Sequence, residues 1–569
     1  MILQALSDYY DRLAADPDSG VAPIGWEYKE IPFVIVLRKD GTLVNIEDTR
    51  EKTEGSKDKR AHVFLAPKAE KRTHVKPQIL WDTVEYVTGY DCKGHPDKTE
   101  EYHEAFMHRL EMFADCPSVS PIIAFLKRPT KVNELAQFAA WKEAVESCAF
   151  LTFRLLGESD PVFRALDVQK RIEEQNAEAS EVNDNRRICL VSGENDVITK
   201  LHPVIQGVRG ANSTGGNLVS YNEPSFRSYS NKQGDIAQIG ERAAFKYTTA
   251  LNRLLSRKSK QKTMVGDTTT VCWADRDCYL ENEFSSVLEE ASPDSVIKLL
   301  TSVKTGDFKH NEDKIRFYVL GLAPNAARLS VRFWHHSTVN EMEERFARWF
   351  EALQIAHPPY MQDHLPLKRL LLSLAPMGEE ENISPKLSGD IMRSIISGTP
   401  YPAAMLSYAL MRNKAEQDVT YPRAKLIKAY LNQNKKKELT MSLDTDNTNP
   451  GYALGRLFAT LEKLQARAIG DPNASIRERF YGAASTTPVT VFPRLLKLAT
   501  HHLGKVSNPE FFEKLIEDII CGGDWQKGFP SNLDNIEQGM FAIGYWQQRQ
   551  AFFQKKNASA DAPQDSASN

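Results

Sequence analysis

Two spacings of apolar residues run along this chain, and they change places as it proceeds. MILQALSDYYDRL opens it with apolar positions at helical intervals and predicts an amphipathic helix. IPFVIVLRKDGTLVNIED then holds two apolar runs split by Asp40-Gly41, the pattern of a hairpin. After a charged loop at 49–60, HVFLAP predicts a further strand, and helical periodicity dominates from about 100 to 183, interrupted by Pro117, Pro121 and Pro129. RICLVSG and TTTVCWAD predict strands, ERAAFKYTTALNRLL a helix between them, and RFYVLGLAPNAARLSVRFW two strands joined through Pro-Asn. Beyond about 361 strand signals become rare. ISPKLSGDIMRSIISG, YPAAMLSYALMRN and YPRAKLIKAYLNQN predict helices punctuated by Gly and Pro. Asn449-Pro450 predicts a cap and first turn for a helix whose Leu454, Leu457, Phe458, Leu461 and Leu464 share a face, with Gly470 as its left-handed stop. Ser507-Asn508-Pro509 starts another helix.

This pattern predicts an α+β protein. Mixed α/β structure occupies residues 1–360, with a sub-boundary near 185. A helical connecting region follows at 361–440, then a helical bundle at 441–556 and a disordered tail, NASADAPQDSASN, at 557–569. At 569 residues the chain has ample material for real cores, and its 41% hydrophobic and 26% charged content is that of an ordinary globular protein. A net charge of -3 gives no global pull toward nucleic acid or membrane, so such binding must come from local patches. No apolar run is long enough to span a bilayer, and the opening helix does not resemble a secretory signal. The seven cysteines are scattered, with no C-x-x-C pair, which predicts a reducing cytoplasm, no structural metal and no disulfide frame.

The most unusual stretch is GANSTGGNLVSYNEPSFRSY, residues 210–229. Gly210 and Gly215 have the glycine spacing of a phosphate-binding loop, but Gly216 and Asn217 stand where that loop needs Lys and Ser/Thr. The missing ammonium and hydroxyl rule out an ATP site there. Two readings remain. One is a tight connection in which Asn tolerates left-handed geometry; the other offers backbone amides and short polar side chains to a narrow surface such as a DNA minor groove. The neighbouring sequence favours the second. Between Arg242 and Gly266 lie seven basic residues (Arg242, Lys246, Arg253, Arg257, Lys258, Lys260 and Lys262) and no acid. Beside Tyr221, Phe226 and Tyr229, such an unbalanced run suits phosphate tracking. KAEKRTHVK, residues 68–76, is a second basic loop, and residues 456–505 carry eight Lys/Arg against three acids. Hydrolytic chemistry finds little support. His335-His336 and His501-His502 are adjacent pairs without carboxylates at metal-ligand spacing, no G-x-S-x-G elbow exists, and Glu379-Glu380-Glu381 reads as a solvated loop.

MILQALSDYYDRL, LHPVIQGVRGANSTGGNLVSYNEPSFRSY, KYTTALNRLL, YVLGLAPNAARLSVRFW, SGTPYPAAML, YPRAKLIKAYL, GYALGRLFATLEKLQ and EQGMFAIGYWQQR, in this order, resemble the large subunit of the type I-C CRISPR interference complex, Cascade. The resemblance runs from residue 1 to about 556 and departs mildly at Tyr221 and Ser230. It implies a non-catalytic subunit without cofactors that recognises the short flanking motif (PAM) beside a guide-RNA target in double-stranded DNA. The subunit would help open the duplex into an R-loop and recruit a helicase-nuclease. Implied partners are the guide RNA, target DNA, the Cascade backbone subunits, a small subunit and that nuclease. On this basis Asn212, Ser213, Thr214 and Asn217, with Gly215 and Gly216 allowing close approach, are expected at the PAM duplex. Lys71, Arg72 and Lys76 are expected on its phosphates or groove. Arg253, Arg257, Lys258 and Lys260 would guide backbone, as would Arg456, Lys463, Arg467 and Arg477.

The resemblance also implies that the small subunit is similar to the carboxy-terminal region and can arise by internal initiation. Met441 offers the start of a 129-residue product, and the Lys-Glu of KKKELTM can be encoded as a purine-rich ribosome-binding sequence. Two alternatives compete with this picture: a CRISPR-linked nuclease or RNA-processing enzyme, and a nucleic-acid-binding scaffold that works without guide RNA.

Overall fold

The computed structural model describes residues 1–16, 19–52, 59–69, 75–181, 185–227, 229, 231, 233–257, 259–305, 314–470, 474–525 and 528–560. The chain is α+β, and it divides into two compact units that interleave in sequence. One comprises residues 3–203 and 220–250, the other 204–219 and 251–569.

In the first unit the expected hairpin forms at Asp40-Gly41, pairing Phe33–Leu37 with Leu43–Asp48. The Asp40 carboxylate accepts the Thr42 N–H at 2.8 Å and fixes the turn. FVIVL is buried at every position because the strand is central. It pairs in parallel with Phe150–Leu155, which pairs in turn with Trp81–Thr83. Trp26–Glu30 pairs separately with Val63–Pro67, the strand expected from HVFLAP. Helices Ile2–Ala14 and Pro96–Glu111 carry buried faces of apolar residues at helical spacing.

The second unit contains an antiparallel meander, Lys262–Val265, Thr268–Ala274, Arg316–Asn325 and Arg328–Thr338. One face of it, with Cys272, Ala274, Phe317, Val319 and Phe333, belongs to a single apolar core that continues to Trp546. Helices Pro385–Ser397, Ala403–Glu416 and Tyr421–Lys435 occupy the region expected to connect, and their apolar faces join the same core as the bundle beyond 441. In the bundle, Asn449 caps helix Pro450–Ile469 by accepting the Tyr452 N–H at 3.0 Å, and all five residues of the expected apolar face are buried. Gly470 stops that helix at φ +80°, ψ −116°, which is positive φ but not the left-handed helical cap expected. Asn508 caps Pro509–Gly522 as expected. The last helix, Asn535–Ala560, carries helical backbone over the first four residues of the expected disordered tail, and 561–569 lie outside the described residues.

Candidate functional site

The glycine-rich loop closes on its own unit. Ile205 and Gly216 exchange both backbone hydrogen bonds at 2.9 Å, and inside that closure the Gly215 N–H donates to the Asn212 carbonyl at 2.8 Å. Ser213 and Thr214 form the corners of the resulting turn, and Asn212, Ser213 and Thr214 are exposed. At the exit, the Asn217 carbonyl accepts the Leu329 N–H at 3.0 Å, which joins the loop to strand Arg328–Thr338. At the entry, the Asn252 amide clamps the chain twice. Its oxygen accepts the Gln206 N–H at 2.8 Å and its nitrogen donates to the Val204 carbonyl at 3.2 Å. The Arg209 N–H donates to Thr269 Oγ1 at 3.1 Å.

The glycines have a use within the loop itself. Gly215 has φ +94°, and a Cβ there would lie 2.7 Å from the Ile205 carbonyl oxygen. Gly216 is buried against Leu329. They allow the loop to close on its own chain, a use that the glycine spacing did not reveal.

The clamp also brings the basic run to the loop. Asn252 lies at the end of helix Glu241–Leu254, so Arg253 and Arg257 follow directly from the residue that holds the loop entry. Arg253, Arg257 and Lys260 are exposed and have no carboxylate partner among the described residues; Lys258 lies outside those residues. Two other members of the run are consumed internally. Lys246 pairs with Asp11 at 2.8 Å, and Lys262 donates to the Leu255 carbonyl at 2.8 Å.

Arg209, next to Gly210, was not singled out from the sequence. It reaches Glu380 at 2.8 Å, which also takes Lys368 at 2.6 Å. These two cations, Lys368 first, hold the Glu380 carboxyl below its ordinary range. Glu380 is therefore not an idle member of a solvated acidic run. The available signal was a cation adjoining the glycine string, which the glycine spacing alone passes over.

The other predicted residues belong to other elements. Lys76 is exposed in the first unit, on a loop with anchored ends: Trp81 Nε1 donates to the Pro67 carbonyl at 3.1 Å, and buried Asp82 accepts the Gln78 N–H at 2.9 Å. Lys71 and Arg72 lie outside the described residues. In the bundle, Arg456 is 5% exposed and donates to Gln548 Oε1 at 3.2 Å and the Thr445 carbonyl at 3.1 Å, so it cannot track a backbone from the surface. It is a packing residue, because its helix turns that position inward. Arg477 is half-buried between Asp418 and Glu462. Lys463 sits 5.6 Å over the Phe553 ring, and Arg467 is exposed in the last turn of its helix.

The adjacent histidines differ in burial. His335 receives the Arg345 guanidinium on Nε2 at 2.6 Å, and burial, followed by that charge, pushes it down to about 4. His336 is exposed, as is His501, while His502 is buried. Among the described residues no group of three His, Cys, Asp or Glu side chains could hold a metal ion, and no helix is long and apolar enough to cross a membrane.

The local geometry thus defines a polar tip on a loop pinned at both ends, with solvent-facing cations beside its entry, carried by an α+β protein. The family model for the CRISPR-associated protein Cas_Csd1 matches residues 6–553. The chain belongs to that CRISPR-associated family. A comparison with curated proteins returns no match.

Proposed function

We propose that this chain is the large subunit of a type I-C Cascade, which reads the PAM of a double-stranded DNA target, assists R-loop opening and recruits a helicase-nuclease without catalysing a reaction. The observation that carries the reading is the Asn212–Thr214 tip within a CRISPR-associated match that spans residues 6–553. A tip closed by backbone hydrogen bonds presents short donors and acceptors at little ordering cost, as minor-groove reading requires. Arg253, Arg257 and Lys260 contribute sequence-independent attraction for phosphates beside it. Guide RNA supplies the target sequence by base pairing, and the backbone subunits carry that RNA. The test is the double substitution Asn212→Ala, Thr214→Ala in the assembled complex. Binding to targets with the PAM should fall toward the level of targets without it, and undiminished discrimination would remove the loop from this role.

Internal initiation at Met441 belongs to the same reading. The product would contain the bundle helices but lack Asp418, the acceptor that Arg477 and Arg549 share in the full chain. Those two cations would then be freer to meet an anionic partner than they are in the large subunit.

A further inference from the structure

Helix Tyr421–Lys435 buries two lysines one turn apart. Lys425 is 2% exposed and Lys428 is 5% exposed, and among the described residues neither has an ion-pair partner. Burying an ammonium without an anion is costly, so side chains of this kind are either held neutral or compensated by something bound.

Lys425 lines a cavity of about 270 Å³ together with His357, Asp363, His364 and Met441. Its Nζ donates to the Leu353 carbonyl at 3.2 Å and the Asp363 carbonyl at 2.7 Å. The protonated amine has a third N–H that these two carbonyls leave over, and the Tyr421 ring lies 4.5 Å from Nζ as a further contact. The nearest carboxylate is already engaged: Asp363 Oδ1 lies 2.7 Å from His357 Nε2, and the other nitrogen of that ring lies 3.0 Å from the Pro358 carbonyl. The Asp363 carboxylate is thus engaged by His357, and it makes no ion pair with Lys425 among the described residues. His364 packs edge-on to Phe350 at 5.5 Å and has no hydrogen-bond partner among the described residues. Lys425 and His364 thus bring one ammonium and one imidazole to the cavity wall.

We propose that this cavity is a binding site for a phosphate-class dianion, held by the Lys425 ammonium and the His364 ring. The dianion supplies the direct ion-pair partner that Lys425 lacks among the described residues, and its several acceptor oxygens can take an N–H of Lys425 and a ring N–H of His364 together. Burial pushes Lys425 down to about 7 and lowers Lys428 as well. An anion beside Lys425 favours its charged form, so binding takes up a proton near neutrality. The groups that set this balance are Asp363, His357 and His364 from the adjoining loop, and Lys428 and Tyr421 from the same helix. The chemistry fits either free inorganic phosphate or the terminal phosphate of a nucleic-acid strand. The site is independent of the PAM reading, because it uses none of the loop residues.

The test titrates the full-length protein with sodium phosphate against sodium chloride of equal ionic strength. Calorimetry just above neutral pH, in two buffers of different ionisation enthalpy, reads affinity and proton uptake together. Saturable binding with proton uptake is expected, weakened by about tenfold or more in Lys425→Met and in His364→Phe. If Lys425→Met fails to fold, His364→Phe and the NMR titration of the lysine side chains in wild type decide: one lysine should titrate near neutrality and move upward with phosphate. A 5′-phosphorylated oligonucleotide that outcompetes its 5′-hydroxyl twin, and is displaced by phosphate, assigns the site to a strand end. A response to inorganic phosphate alone assigns it to the free ion. Wild type without saturable phosphate binding, or both variants binding as wild type does, overturns the proposal.

Discussion

Gly215 shows how a single atom sets the shape of the candidate site. Adding a Cβ places it 2.7 Å from the Ile205 carbonyl at a backbone angle that side chains avoid. Gly215→Ala should therefore cost about 1–3 kcal/mol in denaturant unfolding, and it should weaken PAM discrimination while Asn212, Ser213 and Thr214 are untouched. The basic residues separate by burial in the same way. Removing the Arg456 guanidinium strands the Gln548 and Thr445 oxygens, so Arg456→Ala should destabilise the protein by about 1–3 kcal/mol. Arg467→Ala on the exposed face should change stability by less than about 0.5 kcal/mol. His335 adds a pH dependence. Its folded-state pKa of about 4 lies below its unfolded value, so the unfolded chain binds more protons between about 4 and 6.5. The contribution of this residue is full above about 6.5 and is lost as pH falls through that window. His335→Gln should flatten that part of a stability-against-pH curve measured by thermal unfolding.

At the scale of elements, the bundle depends on two helices whose backbones touch. A Cβ on Gly455 of helix Pro450–Ile469 would lie 2.1 Å from the Phe541 carbonyl, and one on Gly544 of helix Asn535–Ala560 would lie 2.1 Å from the Tyr452 carbonyl. The apolar stripe of Leu454, Leu457 and Phe458 was legible in the sequence because its period is local. The glycine crossing was not, since it depends on which helix arrives from about 90 residues further on, although Gly451 and Gly455 one turn apart were the available sign. Gly455→Ala should force the pair apart and destabilise the chain by more than the about 0.5–1.5 kcal/mol of a buried Ile→Val-type truncation. Asp418 joins the preceding helices to this bundle through Arg477 and Arg549. Asp418→Asn should lower the thermal midpoint of the full chain, with the loss fading as salt is raised because the three groups are partly exposed.

For the whole molecule, Arg257→Glu with Arg253→Glu should weaken binding to targets with and without the PAM alike. The slope of log affinity against log salt should fall by about 2, one for each phosphate that is no longer neutralised. A Met441→Leu substitution combined with silent disruption of the upstream purine-rich codons should remove a small carboxy-terminal product from expressing cells. Persistence of that product would place its origin elsewhere.

Much of the α+β order was determined by the sequence alone. Strand and helix periods, the Asp40-Gly41 turn and the Asn449 and Asn508 caps depend on neighbours within a few residues. The missing Lys and Ser/Thr after Gly215 likewise excluded a phosphate loop without any structure. Only tertiary structure decided that residues 204–219 pack with the sheet at 262–338 rather than with their sequence neighbours. It also decided that Gly215 and Gly216 close the loop on itself and that Arg456 faces inward. Each of those outcomes depends on which distant backbone comes within hydrogen-bonding or van der Waals distance, and local composition carries no record of that meeting.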